Sequence, residues 1–432
     1  MKRKTLDFII RQNGGATGLA AIGRKKLIII VSVVLGVLLL GGAYLWYVHN
    51  YVNVRKVELQ AQKKTDYEWV SDASEQGLVK DYLWSRTKEL MLKNSEDNIL
   101  IVSRITLPGK LLEQTLEESG EYDLGDQALL LMSYVRENDR IKASELVQEV
   151  DKRFDLPTED TGCRIGYLEA FLAYYSSYGS KSDEEKLTKM LEGLFDEEGM
   201  LKPSKIDITG YEGQAYVSSN DTEAALANGK AMGELESGSD ADVSHKKVSG
   251  VYLSSVDLKL IRDLENNGFL PEGSYEKNLE LVKNGLISSE IPLFALCSTD
   301  EGYVYTSGVS GAVNVARSVV IMRNLALVGE LPSSSFSWLK STLYGNEIFS
   351  DTLNWTSGKF EGEESFDSYF MIAEIAVALD DEDLFSFCSK RIATHVATLD
   401  SSPALSMIFR SENGRNLVYA NDNLRMNLLL AS

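Results

Sequence analysis

Acidic side chains at the starts of apolar segments are the residues of this chain best placed to do chemistry. Asp126 opens the segment Asp126–Arg136, whose Ala128, Leu129, Leu131, Met132 and Val135 recur at helical spacing. Asp160, with Thr161, stands just before a second such segment, Ile165–Tyr178. Two carboxyl groups facing one bond can protonate one side of it and activate water on the other. The same positions have a structural reading, because Asp near a helix N-terminus accepts a backbone N–H and meets the positive end of the helix dipole. Both readings stand. Other chemistries find less support. His49, His245 and His395 show no metal-ligand spacing, and no G-x-S-x-G elbow or phosphate-cradling glycine loop is present. No metal or cofactor is implied.

The elements that would position these acids are helices. Apolar residues at three- and four-residue spacing also mark Leu258–Leu264, Tyr275–Leu286, Gly311–Leu327, Ser335–Leu343, Phe366–Leu379, Asp383–Ala397 and Asp422–Leu430. Sustained β alternation is absent apart from brief stretches such as Tyr303–Thr306. About ten to twelve helices with no sheet between them point to a helical toroid or solenoid, and no fixed-period repeat favours the solenoid. Ile208–Gly250 is rich in Gly, Ser, Asn and acids and reads as a disordered insertion at about 208–250. Cys163, Cys297 and Cys388 are far apart and odd in number, which suits buried small hydrophobes.

One segment belongs to a membrane. Leu27–Val48 is 22 residues without charge. At 1.5 Å per residue it reaches roughly 33 Å, enough for a hydrocarbon core of about 30 Å. The run is too long for the core of a cleaved signal peptide, and no small-residue cleavage site follows it. Lys2, Arg3, Lys4, Arg11, Arg24, Lys25 and Lys26 precede it against Asp7 alone, which places the N-terminus in the cytoplasm. The expected organisation is a basic cytoplasmic tail over 1–26, a signal anchor over 27–48, and a stalk with the first helix over 49–98. An extracellular helical domain over 99–432 follows. With 44 Lys and Arg against 64 Asp and Glu, the net charge is −20, which argues against a nucleic-acid partner.

The order of segments in the outer part resembles the family-8 glycoside hydrolases, and within them diverged forms that accompany exopolysaccharide or cellulose synthesis in Gram-positive bacteria. LGDQALLLMSYVREND (Leu124–Asp139) is similar to the family helix that carries the catalytic acid. TEDTGCRIGYLEAFLAYY (Thr158–Tyr175) is similar to the next, which starts with a sugar-binding Asp. VNVAR (Val313–Arg317) matches a Tyr-Asp-Ala-x-Arg motif whose Asp is the usual base. SSVDLKLIRDL (Ser254–Leu264), Glu363–Leu384 and Val418–Ala431 resemble other helices of the ring.

The resemblance implies an all-α, (α/α)6 toroid with a sugar groove across one end, behind one transmembrane helix. It implies inverting hydrolysis of a β-glucan-type polysaccharide if the chain is active, which needs one protonated carboxyl and a second about 6.5–9.5 Å away to activate water. On the gapless alignment, however, the acid falls on Gly125, with Asp126 beside it and Asp123 two residues back. The sugar-binding Asp falls near Gly162, with Asp160 nearby. The base falls on Asn314, which cannot take the water's proton, while Arg317 is kept. Asp126, Asp123 and Asp160 are thus the candidate catalytic residues, and Asn314 and Arg317 candidate substrate contacts. Tyr122 and Trp355, in expected loops, add aromatic faces on which sugar rings stack; Tyr303, Tyr305 and Tyr344 lie in similar places. The expected protein is an anchored extracellular glycan-processing domain, active or lapsed, with an exported polysaccharide and a neighbouring synthase as partners. The alternative is a non-enzymatic scaffold of a cell-envelope complex, which would show an exposed apolar patch instead of a polar groove.

Overall fold

The computed structural model describes residues 24–432 apart from 53, 62, 64–66, 68–79, 93–97, 108–116, 211–243, 306–311, 347, 355–357, 399–401 and 431–432. The chain divides into two compact units, one of Met1–Arg55 with Gly179–Glu184 and one of Lys56–Tyr178 with Glu185–Ser432. The first holds helix α1, Arg24–Tyr47, extended by the wider turn Val48–Val52. Over Val31–Val52 it is long and apolar enough to cross a membrane, and none of that stretch is buried. Its far end gathers aromatic rings, with Trp46 edge-on to Tyr51 at 5.8 Å.

The rest of the chain is built from six helical hairpins. Lys80–Thr87 (α2) is followed by Leu124–Arg136 (α3), and Arg140–Arg153 (α4) by Thr161–Tyr178 (α5). Lys181–Leu194 (α6) leads to Leu258–Asn266 (α7), and Ser274–Lys283 (α8) to Val315–Leu327 (α9). Ser333–Gly345 (α10) precedes Phe366–Leu379 (α11), and Glu382–Ala393 (α12) precedes Ala420–Leu430 (α13). Sequence decides which helix of each pair goes inside. α4 buries only Ala143, Leu146, Val147 and Val150, and α6 only Leu187, Leu191 and Leu194, each a single stripe among charges. Such helices cover a core and face water. α11, FDSYFMIAEIAVAL, is apolar nearly all round and is buried along its length. The inner helices α3, α5, α9, α11 and α13 pack side by side, α3 closes against α13, and the turn Leu253–Ser255 with α7 fills the place between α5 and α9. This is the (α/α)6 toroid.

Because every hairpin runs the same way, all six inner helices start at one end of the ring. The two ends differ in their connections. From inner to outer helix they are short, as at Glu137–Asp139 and Asp380–Asp381. From outer to inner helix they are longer, except between α4 and α5, the longest running from 195 to 257. These long connections hold eleven short strands among the described residues, in three antiparallel sheets: β10 (Arg410–Glu412), β11 (Arg415–Tyr419), β1 (Arg104–Thr106) and β2 (Glu117–Glu118); β3 (Ser204–Gly210), β4 (Ser244–Tyr252), β5 (Cys297–Thr299) and β6 (Gly302–Val304); and β7 (Ala312–Asn314), β8 (Ser350–Asn354) and β9 (Phe360–Glu364), each in spatial order. Helical periodicity gave no sign of most of them, since strands such as Arg104–Thr106 (β1), Cys297–Thr299 (β5) and Ala312–Asn314 (β7) are too short to alternate, while Gly302–Val304 (β6) overlaps the alternating stretch that begins at Tyr303. The segment expected to be a disordered insertion starts and ends within a hairpin, where Ser204–Gly210 (β3) pairs with Ser244–Tyr252 (β4). Its centre, 211–243, lies outside the described residues. Cys163, Cys297 and Cys388 are free thiols, the last two buried.

At the opposite end a strap crosses the ring. Asn267, at the C-terminus of α7, donates its amide N–H to the Glu58 carbonyl and accepts the Glu58 N–H, both at 2.9 Å. Gln60 donates its backbone N–H to Asp263 at 3.1 Å, Ser176 donates to the Val57 carbonyl at 2.9 Å, and Lys63 pairs with Asp380. Residues 56–61 and 63 are thereby built into the toroid.

Candidate functional site

Six helix N-termini at one end present N–H groups with no partner inside their own helices. Side chains supply the acceptors. Asp123 accepts the Gly125 N–H at 2.7 Å, and Asp160 accepts the Gly162 N–H at 2.8 Å. Asp257 accepts from Leu260 at 2.9 Å, and Asn314 from Arg317 at 2.9 Å. Asp123, Asp160 and Asn314, named from sequence, are therefore the N-terminal caps of α3, α5 and α9.

The structure brings these residues onto one arc. A Cβ on Gly125 would lie 3.8 Å from the Cys163 sulfur, and one on Gly162 would lie 3.6 Å from the Ser255 hydroxyl. Arg317 donates to the Ser254 hydroxyl at 3.3 Å and holds its guanidinium 4.3 Å over the Tyr252 ring. The rim thus passes from Asp123 through Cys163 and Asp160 to Ser254, Arg317 and Asn314. Burial, with Asp123 and Asp160 nearby, pushes the Cys163 thiol up to about 12, which favours the neutral thiol over the thiolate.

Asp126 sits elsewhere. Gly125 and Leu129 of α3 face the ring axis, while Asp126 is 4% exposed and does not line the axial cavity. Burial pushes its carboxyl up to about 7, against a hydrogen bond from Ser103 that favours the charged form; Asp123 raises it further. Asp422 lies close by on α13, pushed up to about 6 by burial despite its ion pair with Arg410. Both acids are buried where α3 packs on α13.

The other predicted contacts are dispersed. Tyr122 lies 5.5 Å under the Arg153 guanidinium, away from the cavity lining. Tyr303 and Tyr305 are both 7% exposed, and the Tyr303 hydroxyl donates to the Leu281 carbonyl at 2.8 Å, so they are core. Tyr344 is on outer helix α10 against Phe387. Trp355 lies outside the described residues.

Below the rim the ring encloses a cavity of about 700 Å³. Its lining starts at Asp123, Gly125, Gly162, Ser254 and Asn421 and continues down the inner helices to Arg136, Gly329 and Ala378. Gln60, Ala61 and Lys63 of the strap line it as well. Charged groups meet halfway down. Arg323 of α9 pairs with Glu374 of α11 and lies 4.0 Å from Asp257. Burial would raise Glu374, but Arg323, Arg425 and Arg136 hold its carboxyl below the usual range. Glu169 of α5 is raised, first by burial and then by Asp257. Arg425 donates its Nε–H to Asn421 at 2.8 Å and an Nη1–H to the Met371 sulfur at 3.8 Å, and it makes no salt bridge within 4 Å among the described residues. Glu169, Arg323, Glu374 and Arg425 were not singled out from sequence. The available signal was the one charge beyond the first turn of the strongly apolar α11 and the single acid among the aromatics of α5.

Comparisons with solved structures identify the class of the fold. No protein-family model and no curated protein sequence matches the chain. An α-amylase from Clostridium perfringens superposes with a TM-score of 0.59 at 16% identity, covering 83% of this chain and 99% of that one. A β-1,3-1,4-glucanase from Paenibacillus sp. X4 superposes with a TM-score of 0.50 at 10% identity, covering 87% and 98%. The chain therefore has the six-hairpin toroid fold of these glycosidic enzymes, preceded by one apolar helix.

Proposed function

We propose that this is a membrane-anchored glycan-binding protein whose toroid holds an extracellular polysaccharide without cutting it. The observation that carries the reading is the use made of the rim. At the positions where the family resemblance expects the acid, the sugar-binding carboxylate and the base stand Gly125, Gly162 and Asn314; the acids just before the first two, Asp123 and Asp160, cap their own helices, and Asn314 caps α9. No group on this arc answers to a protonated acid paired with a water-activating base. What remains is a polar rim opening onto a cavity with hydrogen-bonding and apolar walls, which suits holding sugars. The basic N-terminal flank supports an anchor with its N-terminus in the cytoplasm and the toroid outside, where an exported β-glucan-type chain and its synthase would be the natural partners.

Retained hydrolysis is the second reading; Asp126, its carboxyl pushed up to about 7 by burial, is the acid it would use, although that carboxyl lies in the wall and not in the cavity lining. The scaffold reading has less behind it. Beyond residue 52, the exposed large apolar side chains among the described residues are Ile141, Tyr344, Ile348 and Leu379, too scattered for a docking patch. The test uses the full-length protein in a sugar-free detergent, measuring binding and reducing-end release on a panel of β-glucans, with Asp126→Asn alongside. Binding without release supports the proposal. Release that vanishes in Asp126→Asn establishes the second reading in its place.

A further inference from the structure

We propose that the axial cavity is a chain-end pocket, taking the last one or two sugar units of a neutral glycan endwise through the ring of inner-helix N-termini. This rests on the glycan-binding reading and adds which part of the glycan is held.

Topology makes the first argument. The cavity is enclosed by a closed ring of inner helices, so the middle of a polymer lying across the rim cannot reach Glu169 or Arg323. Only a chain end can descend. The strap residues Gln60, Ala61 and Lys63 stand at the far end, where a threaded chain would have to leave. They are held by the Glu58–Asn267 pair and by Gln60 on Asp263.

The mouth makes the second. Gly125, Gly162 and Gly166 lie on the cavity wall at and just below the rim. A Cβ on Gly166 would meet nothing within 4 Å. Glycine weakens a helix interior by roughly 0.5–1 kcal/mol relative to alanine. Packing gives no reason for it at a position with open space, whereas a passage into the ring does.

The walls make the third. About 700 Å³ lies within the range of roughly 300–1,000 Å³ typical of small-molecule sites. Leu129, Met132, Val320 and Met371 offer apolar faces, while the Glu169 carboxyl and the Arg425 guanidinium keep hydrogen-bonding capacity unused among the described residues. Charges of opposite sign largely pair off, Arg323 with Glu374 and Asp257, Lys259 with Asp263. A ligand with many hydroxyls, apolar ring faces and no net charge matches that lining.

The probe is a soluble mixed-linkage β-glucan, used whole and after partial acid hydrolysis, so that equal masses differ in the number of chain ends. Full-length protein in sugar-free detergent is titrated against both, with cellotetraose as competitor. Binding capacity per gram should rise in proportion to the ends, and cellotetraose should displace the polymer. Gly166→Leu, which fills the passage, should weaken binding at least tenfold with an unchanged or higher Tm, and Gly166→Ala should weaken it less. Capacity that follows mass instead of ends overturns the pocket while leaving glycan binding intact. So does a folded Gly166→Leu protein that binds like the parent. Absence of binding to every glucan overturns the glycan reading and the pocket with it. The capacity measurement on the unsubstituted protein decides even if Gly166→Leu fails to fold.

Discussion

Replacing Asp126 with Asn should stabilise the protein at neutral pH, and the gain should vanish in acid. The carboxyl rises from its ordinary 3.8 to about 7 inside the wall between α3 and α13. Each tenfold change in proton affinity is worth about 1.4 kcal/mol, so the folded state carries roughly 4 kcal/mol of penalty once the group is fully ionised. The sign follows from proton uptake. With its affinity raised by folding, the group favours the folded state fully below about pH 4, and that contribution is lost as pH rises toward 7 and above. Asn keeps the shape and can still accept the Ser103 hydroxyl, but never ionises. Urea unfolding followed by tryptophan fluorescence, at intervals from about pH 4 to about pH 8, should show the stability difference growing by about 3–4 kcal/mol in favour of Asp126→Asn. A difference that stays flat with pH, or a variant less stable than the parent at about pH 8, would refute the assignment of Asp126 as a desolvated acid. A carboxyl kept at such a cost invites a functional explanation. For that reason the same variant serves in the hydrolysis assay.

Two further outcomes follow from contacts already described. Asp123→Ala and Asp160→Ala each remove a helix cap and should lower unfolding stability by about 1 kcal/mol, additively because they cap different helices, as read from urea midpoints. Arg323→Met should cost about 3–5 kcal/mol because it leaves Glu374 and Asp257 inside the ring without their shared cation, and adding Glu374→Gln should recover part of that loss; equal instability of single and double variants would show that the pair is not coupled.

How much of this was legible before the structure differed by layer. The inner helices could be read because α11 and α9 are apolar on most faces, and such segments cannot be loops. α4 and α6 escaped because each buries only three or four residues among charges. The strands escaped for want of length. At the rim, Asp123, Asp160 and Asn314 were found at helix starts, since capping and catalysis ask for the same side chains in the same places. Asp126 was expected to face the groove, but it is one residue past Gly125, and one residue turns the side chain by about 100° around a helix. That rotation carries it off the axis-facing stripe of Gly125 and Leu129 into the wall. Glu169, Arg323 and Glu374 were missed for a reason particular to rings. On a surface helix the polar face looks at water, but on an inner helix of a toroid it looks at the axis. A charge that reads as solvated in sequence is then part of the buried centre.

Whether the rim lacks a hydrolase's carboxylates can be tested by introducing them. Gly125→Glu with Asn314→Asp would restore an acid and a base at the two positions that the family resemblance assigns to them. A Cβ at Gly125 lies 2.8 Å from the Asp123 carboxylate, so the new side chain must push the cap aside, and a stability loss of about 1 kcal/mol is expected from the uncapped α3. The Asn314→Asp change should be close to neutral, because Asp caps a helix as well as Asn does and can still accept the Arg317 N–H. If the ring otherwise keeps a hydrolase's geometry, the double variant should release reducing ends from β-glucan above the parent's level, and each single variant should not, since inversion needs both groups. Release by the double variant would mean that two substitutions separate a binder from an enzyme. A folded, glycan-binding double variant with no release would mean that the rim has moved further from its catalytic form than these two side chains. In that case the approach of the sugar to α3, fixed by Cys163 and the closed ring, would be the next place to look.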